Sequence, residues 1–241
     1  MAKGSIIWTR AKIYHSEDKD IIKDPDVVAI PCLEFQEIEI PKVIPAYRDI
    51  IITSQQCLPF IQNHQKLSGL VKKAHIHTFG HKTAEVMEPN SKKVTRYDEQ
   101  NAKGMIMNII RADCHGPFLY IGPKDPSFPI VESLKKAGIT AEHLSIYETK
   151  MPKTKRSVGQ NQLKGVVCFS SPKTVENFIE MFKDKDISDL WAVSIGSTTE
   201  AQAAGYFNMS FAAPQPSSQA LYISAQKLLS KWKQATVNAQ Q

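Results

Sequence analysis

The sequence predicts an α/β protein of two lobes, each a parallel sheet flanked by helices, and three observations carry that prediction. Short apolar runs rich in β-branched residues alternate with segments of helical spacing, as expected for strands covered on both faces. One strand-to-turn pattern also occurs twice. Ile50-Ile51-Ile52-Thr53-Ser54 is followed by Phe79-Gly80-His81-Lys82-Thr83-Ala84, and Val166-Val167-Cys168-Phe169-Ser170-Ser171 by Ile195-Gly196-Ser197-Thr198-Thr199-Glu200. The interval from serine to glycine is 26 positions in the first copy (54 to 80) and 25 in the second (171 to 196). Finally, 241 residues exceed one typical domain and suit two lobes of about 100–130 residues.

Taken in order, the expected strands are Ser5–Thr9, Val27–Ile30, Asp49–Thr53, His75–Phe79, Phe118–Ile121, His143–Tyr147, Val166–Phe169, Trp191–Ile195 and Met209–Phe211. Between Pro31 and Pro41, Leu33, Phe35, Ile38 and Ile40 mark an extended stretch that can run beside Tyr147 to Pro152 as a two-stranded connection. That puts residues 1–34 and 153–241 in one discontinuous lobe and 36–150 in the other, with linker segments near 32–38 and 148–153. In the second half Ser171 can cap a helix with Pro172 at its first position, and Val175, Phe178, Ile179 and Phe182 share one face. Ser197-x-x-Glu200 reads as a capping box and Gly205 as a stop. Ser217 or Ser218 starts a last helix with Leu221, Leu228, Leu229 and Trp232 as its buried stripe.

Composition narrows the function. Hydrophobic residues make up 42% and charged residues 22%, and no run approaches the roughly 20 apolar residues of a membrane span. Ile6-Ile7-Trp8 is too short for a signal-peptide core, so a cytoplasmic location is expected. Cys32, Cys57, Cys114 and Cys168 are scattered, as buried free thiols would be. A net charge of +6 suits an acidic partner. Nucleic acid is not that partner. Lys72-Lys73, Lys92-Lys93, Lys135-Lys136 and the stretch from Lys150 to Arg156 carry no interleaved aromatics and read as solvated surface.

The repeated turns bring hydroxyls and free backbone N–H groups to the point where a strand enters a helix, which is where open α/β sheets bind anions. No P-loop, G-x-G-x-x-G or G-x-S-x-G element is present, so nucleotide chemistry and a serine nucleophile are disfavoured. Each Ser or Thr taken alone would be a helix cap; the repetition in both halves is what favours a polycarboxylate. His75-x-His77-x-x-x-His81 sets His75 and His77 on one face of a strand, sterically able to pair on a metal, but no carboxylate or thiolate lies near in sequence. They read as edge histidines, and neither metal nor cofactor is expected. His81, on the ligand rim, can pair with an anion when protonated. Tyr147 ends a strand at the proposed crossing, where its ring can anchor the connection and its phenol can serve as an acid.

These motifs, in this order, resemble the uroporphyrinogen-III synthase family over nearly the whole chain. The likeness rests on Ile6-Ile7-Trp8-Thr9-Arg10, Ile30-Pro31-Cys32-Leu33, Ile52-Thr53-Ser54 and Phe79-Gly80-His81-Lys82-Thr83-Ala84. It continues through Phe118-Leu119-Tyr120-Ile121-Gly122, Leu134 and Gly138, Ile146-Tyr147-Glu148-Thr149, Phe169-Ser170-Ser171-Pro172, Ile195-Gly196-Ser197-Thr198-Thr199 and Pro216. The stretch from Ala11 to Asp26 departs from the family, being charged and poor in apolar spacing, as do Gln55-Gln56 and the turn Gly122-Pro123-Lys124-Asp125.

The resemblance implies two flavodoxin-like lobes joined by a two-stranded linker, with linear hydroxymethylbilane, which carries eight carboxylates, in the cleft. It implies a hydro-lyase, the alternative being a non-catalytic two-lobe binding protein for a tetrapyrrole or polycarboxylate. The hydro-lyase ionises the hydroxymethyl group on ring A with loss of water. Ring D then attacks through its substituted carbon, and the spiro intermediate breaks and recombines with ring D inverted. It further implies that Arg10, Thr53, Ser54, Gly80, His81, Thr83, Gly122, Ser170, Ser171, Gly196, Ser197, Thr198 and Thr199 hold the substrate and that Tyr147 donates the proton. A monomer without cofactor is expected, with room for transient contact with the enzyme that makes hydroxymethylbilane.

Overall fold

The computed structural model describes residues 4–11, 16–99, 101–112, 114–152 and 158–238. The chain begins with β1 (Ser5–Trp8), α1 (Ser16–Ile21), β2 (Val27–Ala29) and β3 (Glu34–Glu37). It continues with β4 (Asp49–Ile51), α2 (Cys57–Asn63), α3 (Gln65–Lys73), β5 (His75–Phe79), α4 (His81–Met87), β6 (Lys93–Tyr97), α5 (Ala102–Arg111), β7 (Phe118–Pro123), α6 (Ile130–Lys136) and β8 (Ala141–Lys150). It closes with β9 (Gly165–Phe169), α7 (Pro172–Met181), β10 (Leu190–Ser194), α8 (Ser197–Ala203), β11 (Ser210–Ala212) and α9 (Ser218–Asn238). Two compact units result, one of Met1–Glu34 with Lys150–Gln241 and one of Phe35–Thr149.

The first unit holds a five-stranded parallel sheet in the order β11-β10-β9-β1-β2. Numbered within the unit this is 5-4-3-1-2, the flavodoxin-like order. Successive side chains of each strand feed opposite faces. Ile7, Val167 and Phe169 pack with Val175, Phe178 and Ala203 under α7 and α8, whereas Ile6, Trp8, Val166, Cys168 and Val193 pack against Leu221, Ala225, Leu228, Leu229 and Trp232 of α9. Each large apolar side chain buried this way contributes about 1.5–3 kcal/mol. The stripe expected on the last helix is therefore its core face, and the hydroxyl of Ser217 accepts from the N–H of Ala220 to start it.

The second unit has the order β3-β8-β7-β4-β5-β6, and its strands from β8 to β6 are parallel. Without β3 the order within the unit is 5-4-1-2-3, the other common doubly wound arrangement. Ile50, Ile52, Ile76, Leu119 and Ile121 face α2 and α3, while Ile51, Phe118, Tyr120 and Ala141 face α5 and α6. β3, from the expected extended stretch, lies beside β8, where the N–H of Ile38 donates to the carbonyl of Ile146.

Every strand expected from the sequence forms, His75–Phe79 with the expected bounds and the others with ends shifted by one or more residues. β6 was not expected. Its Lys-Val-Thr-Arg-Tyr sequence is that of a sheet edge, with Lys93 and Arg96 exposed, and edges are guarded by charge rather than marked by an apolar run. The capping box at Ser197 does not form: Gly196 is the cap of α8 and Ser197 its first residue, because the N–H of Glu200 already donates to the carbonyl of Gly196. No helix of the described residues is long and apolar enough to cross a membrane. Within the basic stretch from Lys150 to Arg156, residues from 153 onward lie outside the described residues.

Candidate functional site

In a doubly wound sheet, ligands bind beyond the carboxyl ends of the strands where the strand order reverses. In the second unit that point lies between β4 and β7. The turn after β4 carries Thr53 and Ser54, and β7 ends in Gly122-Pro123 with a register shift against β8. A cavity of about 460 Å³ opens here, lined among others by Thr53, Ser54, Phe79, Lys103, Tyr120 and Tyr147.

Each wall has a local cause. Gly80, next to the lining Phe79, caps α4 with φ of 75°, a conformation that a side chain would strain. At Gly122 a Cβ would come within 2.4 Å of the Tyr120 hydroxyl oxygen, so glycine there lets the Tyr120 ring lie back against its own strand. The Tyr120 hydroxyl sits 3.4 Å from Thr53 Oγ1, and its ring stacks on His143 at 4.8 Å. Tyr147 is 4% exposed, stacked on Phe60 at 5.1 Å and met edge-on by Phe35 at 5.5 Å, with its phenol hydrogen-bonded to Ser54. Burial pushes the Tyr120 phenol up to about 12 and that of Tyr147 further still. Both stay protonated across the ordinary pH range and can serve as donors.

Sequence reasoning missed the start of α5, where Asn101, Ala102 and Lys103 line the same cavity. The Asn101 side chain caps the helix, accepting from the N–H of Gly104 at 2.9 Å. A ten-residue helix aims its positive end, and a lysine, at the cavity. The available signal was Asn101-x-x-Gly104, a short polar cap before Met105-Ile106.

The remaining expected residues are less uniform. His81 is exposed and lies 3.5 Å from Glu85 on the next turn, and Thr83 is buried. In the first unit the order reverses between β1 and β9, and Arg10, Ser170 and Ser171 follow those strands. The Ser171 hydroxyl caps α7 by accepting from the N–H of Thr174 at 3.3 Å. Arg10 lies 3.3 Å from the buried carboxylate of Asp18 and also donates to Ser218, so its charge is already matched within the unit. Gly196 is extended, with nothing within 4 Å of a Cβ; Ser197 and Thr198 are exposed, and Thr199 is buried. The cysteines are free thiols, and burial pushes Cys32 and Cys57 up to about 12, out of nucleophilic range.

Away from these turns, the sheet supplies the carboxylate that the sequence did not show beside His75 and His77. Asp49 is the registered neighbour of His75, and its Oδ1 is 3.1 Å from His75 Nδ1 and 3.1 Å from His77 Nε2. Burial opposes charge on the carboxylate, but hydrogen bonds from His77 and Arg48 outweigh it and hold Asp49 below its ordinary value. Burial also holds both imidazoles below theirs, against the pull of Asp49.

The family model described as uroporphyrinogen-III synthase HemD matches residues 24–222. Among solved structures, the uroporphyrinogen-III synthetase of Helicobacter pylori is similar at 21% identity and a TM-score of 0.69, over 93% of this chain and 99% of that one. A mutant uroporphyrinogen III synthase of the extremely thermophilic bacterium Thermus thermophilus is similar at 12% identity and a TM-score of 0.57, over 96% and 99%. Those two likenesses are of fold. No curated protein matches the chain in sequence.

Proposed function

The chain belongs to the uroporphyrinogen-III synthase family, and we propose how its residues carry out that family's hydro-lyase reaction, the closure of hydroxymethylbilane with loss of water and inversion of ring D. The observation that carries the proposal is the cavity at the reversal point of the second unit, where two protonated phenols meet two hydroxyls and the start of α5. Thr53, Ser54, the N–H groups after Gly80, and Lys103 hold carboxylates there, as charge-assisted hydrogen bonds do well. Ser170, Gly196, Ser197 and Thr198 offer the same chemistry on the first unit. Arg10, Thr83, Ser171 and Thr199 act through the fold, since their side chains are paired or buried.

Tyr147 donates toward the departing hydroxyl of ring A. Its raised pKa supports a hydrogen-bond donor that leans a proton onto the leaving oxygen rather than one that ionises beforehand. The linear substrate can also close unaided to the uninverted isomer. The protein's larger contribution is therefore to hold the chain so that the spiro attack precedes direct closure. The same reading makes it a cytoplasmic monomer supplied by the enzyme that produces hydroxymethylbilane.

The test is to incubate the purified protein with fresh hydroxymethylbilane, oxidise the products and separate the type I and type III isomers. Dominant type III is expected. A product no richer in type III than that of an enzyme-free control, which closes to type I, would overturn the assignment.

A further inference from the structure

We propose that Asp49, His75 and His77 form a binding site for a divalent transition ion of the zinc class, built into the amino-terminal half of the second unit's sheet. The ligand set follows from strand geometry. Residues two apart on β5 put both imidazoles on one face, and the parallel register brings the first residue of β4 beside the first residue of β5. The donor atoms Asp49 Oδ1, His75 Nδ1 and His77 Nε2 all lie within 4.8 Å of one another, with both carboxylate-to-imidazole separations at 3.1 Å. A tetrahedral ion with bonds near 2.0–2.1 Å needs its ligands about 3.3 Å apart, so the two carboxylate-to-imidazole separations are already close, and the two imidazole nitrogens, within 4.8 Å of each other, would draw together by side-chain rotation on binding. Two imidazoles and a carboxylate select zinc, cobalt, nickel or copper over magnesium or calcium.

The surroundings are those that orient metal ligands. A ligating imidazole uses its second nitrogen to bind an outer partner that fixes ring and tautomer. Here His75 Nε2 lies 2.7 Å from Thr95 Oγ1, and His77 Nδ1 lies 3.0 Å from the Tyr97 hydroxyl, both partners standing on β6. Each is a hydroxyl that can donate or accept. Without an ion, each imidazole donates to Asp49 and accepts from its hydroxyl. With an ion, the proton moves to the far nitrogen, the hydroxyl turns to accept it, and both rings remain neutral.

Arg48 Nε takes the other carboxylate oxygen, Asp49 Oδ2, at 3.1 Å and leaves Oδ1 facing the rings. His77 is 5% exposed, Asp49 14% and His75 22%, so the donors are shielded yet reachable past His75. Arg48 and Lys93 add positive charge nearby, which favours a site weaker than a four-ligand structural zinc. The cluster lies toward the starts of β4 and β5, away from the turns that form the cavity, and an ion here would clip β4 and β5 together rather than act on substrate.

The full chain, stripped by chelator, is titrated with zinc alone by calorimetry and with cobalt by absorption. One ion per chain is expected, together with intense visible bands of four-coordinate cobalt and a rise in unfolding temperature on adding zinc. All three effects should disappear in His75→Gln/His77→Gln. Tyr97→Phe keeps every ligand and should weaken zinc binding about 10-fold to 100-fold, which serves also if the double variant fails to fold. Absence of binding to the unaltered chain, undiminished binding by the double variant, or full affinity in Tyr97→Phe would overturn the site.

Discussion

Tyr147 is an anchor by its packing and, in the proposed reaction, a donor as well. Its ring is fixed by Phe60 and Phe35 while its phenol meets Ser54 beside the cavity. Replacement by Phe keeps the packing and removes the donor, so turnover should fall roughly 100-fold, the lower end of what one positioned acid supplies, with KM little changed. Because burial raises its pKa, no loss of activity attributable to this phenol should appear on raising the pH to about 9. Steady-state kinetics across pH checks both statements. Arg10 makes the contrasting case. In sequence it follows a strand as a substrate-binding arginine would, and nothing there reveals that Asp18 is buried against it. Arg10→Met should therefore lower stability by about 3 kcal/mol, as stranding a buried charge does, and denaturant unfolding would measure it. A change in KM without loss of stability would return Arg10 to the substrate. Such cases mark the limit of reading residues in sequence: a hydroxyl or a cation is visible, but the partner that already occupies it is supplied by the fold.

Elements were legible where their signal is local. The alternating faces of β1 and β9, the Ser-Pro start of α7 and the stripe of α9 all follow from periodicity and caps. β6 and the Asp49 cluster were not, since both depend on which strands become neighbours, a property of the sheet rather than of any window of sequence. The seam between α9 and the turn before β2 is another such product. There the Tyr222 hydroxyl donates to Asp24, and Lys233 lies 3.2 Å from Asp26. The Tyr222 bond holds the Asp24 carboxyl below its ordinary value, while burial and then Asp24 push the Tyr222 phenol up to about 12. The depressed carboxyl contributes stability that is present above its unfolded value near 4 and is lost as the pH falls through the folded one. The raised phenol contributes stability that is present below about 10 and is lost as the pH rises toward 12. Tyr222→Phe removes the phenol's contribution and the largest part of the carboxyl's, the Asp26 N–H, Gln226 and Lys233 still favouring the ionised Asp24, so its stability profile should be flatter at the alkaline end and partly flatter at the acid end than that of the unaltered chain. Parallel profiles would show that the bond contributes nothing to either limb.

At the scale of the molecule, the net charge of +6 and the chemistry of the turns divide the handling of an acidic substrate into two stages. Most of the groups assigned to hold carboxylates are hydroxyls and backbone N–H groups without net charge, with Lys103 the added cation at the cavity. Their grip is short-ranged and indifferent to salt. Attraction over longer distances must come from the lysines and arginines spread over the surface, and that field is screened as the Debye length shrinks from about 30 Å at 0.01 M salt to about 8 Å at 0.15 M. The value of kcat/KM for hydroxymethylbilane should accordingly fall on the order of 10-fold over that range, while kcat at saturation stays nearly constant. The same dependence should persist in Tyr147→Phe, because the lost donor acts after the substrate is held. If kcat fell with salt as steeply as kcat/KM, the charges would be acting within the bound complex, and the neutral turns could not be the principal hold on the carboxylates.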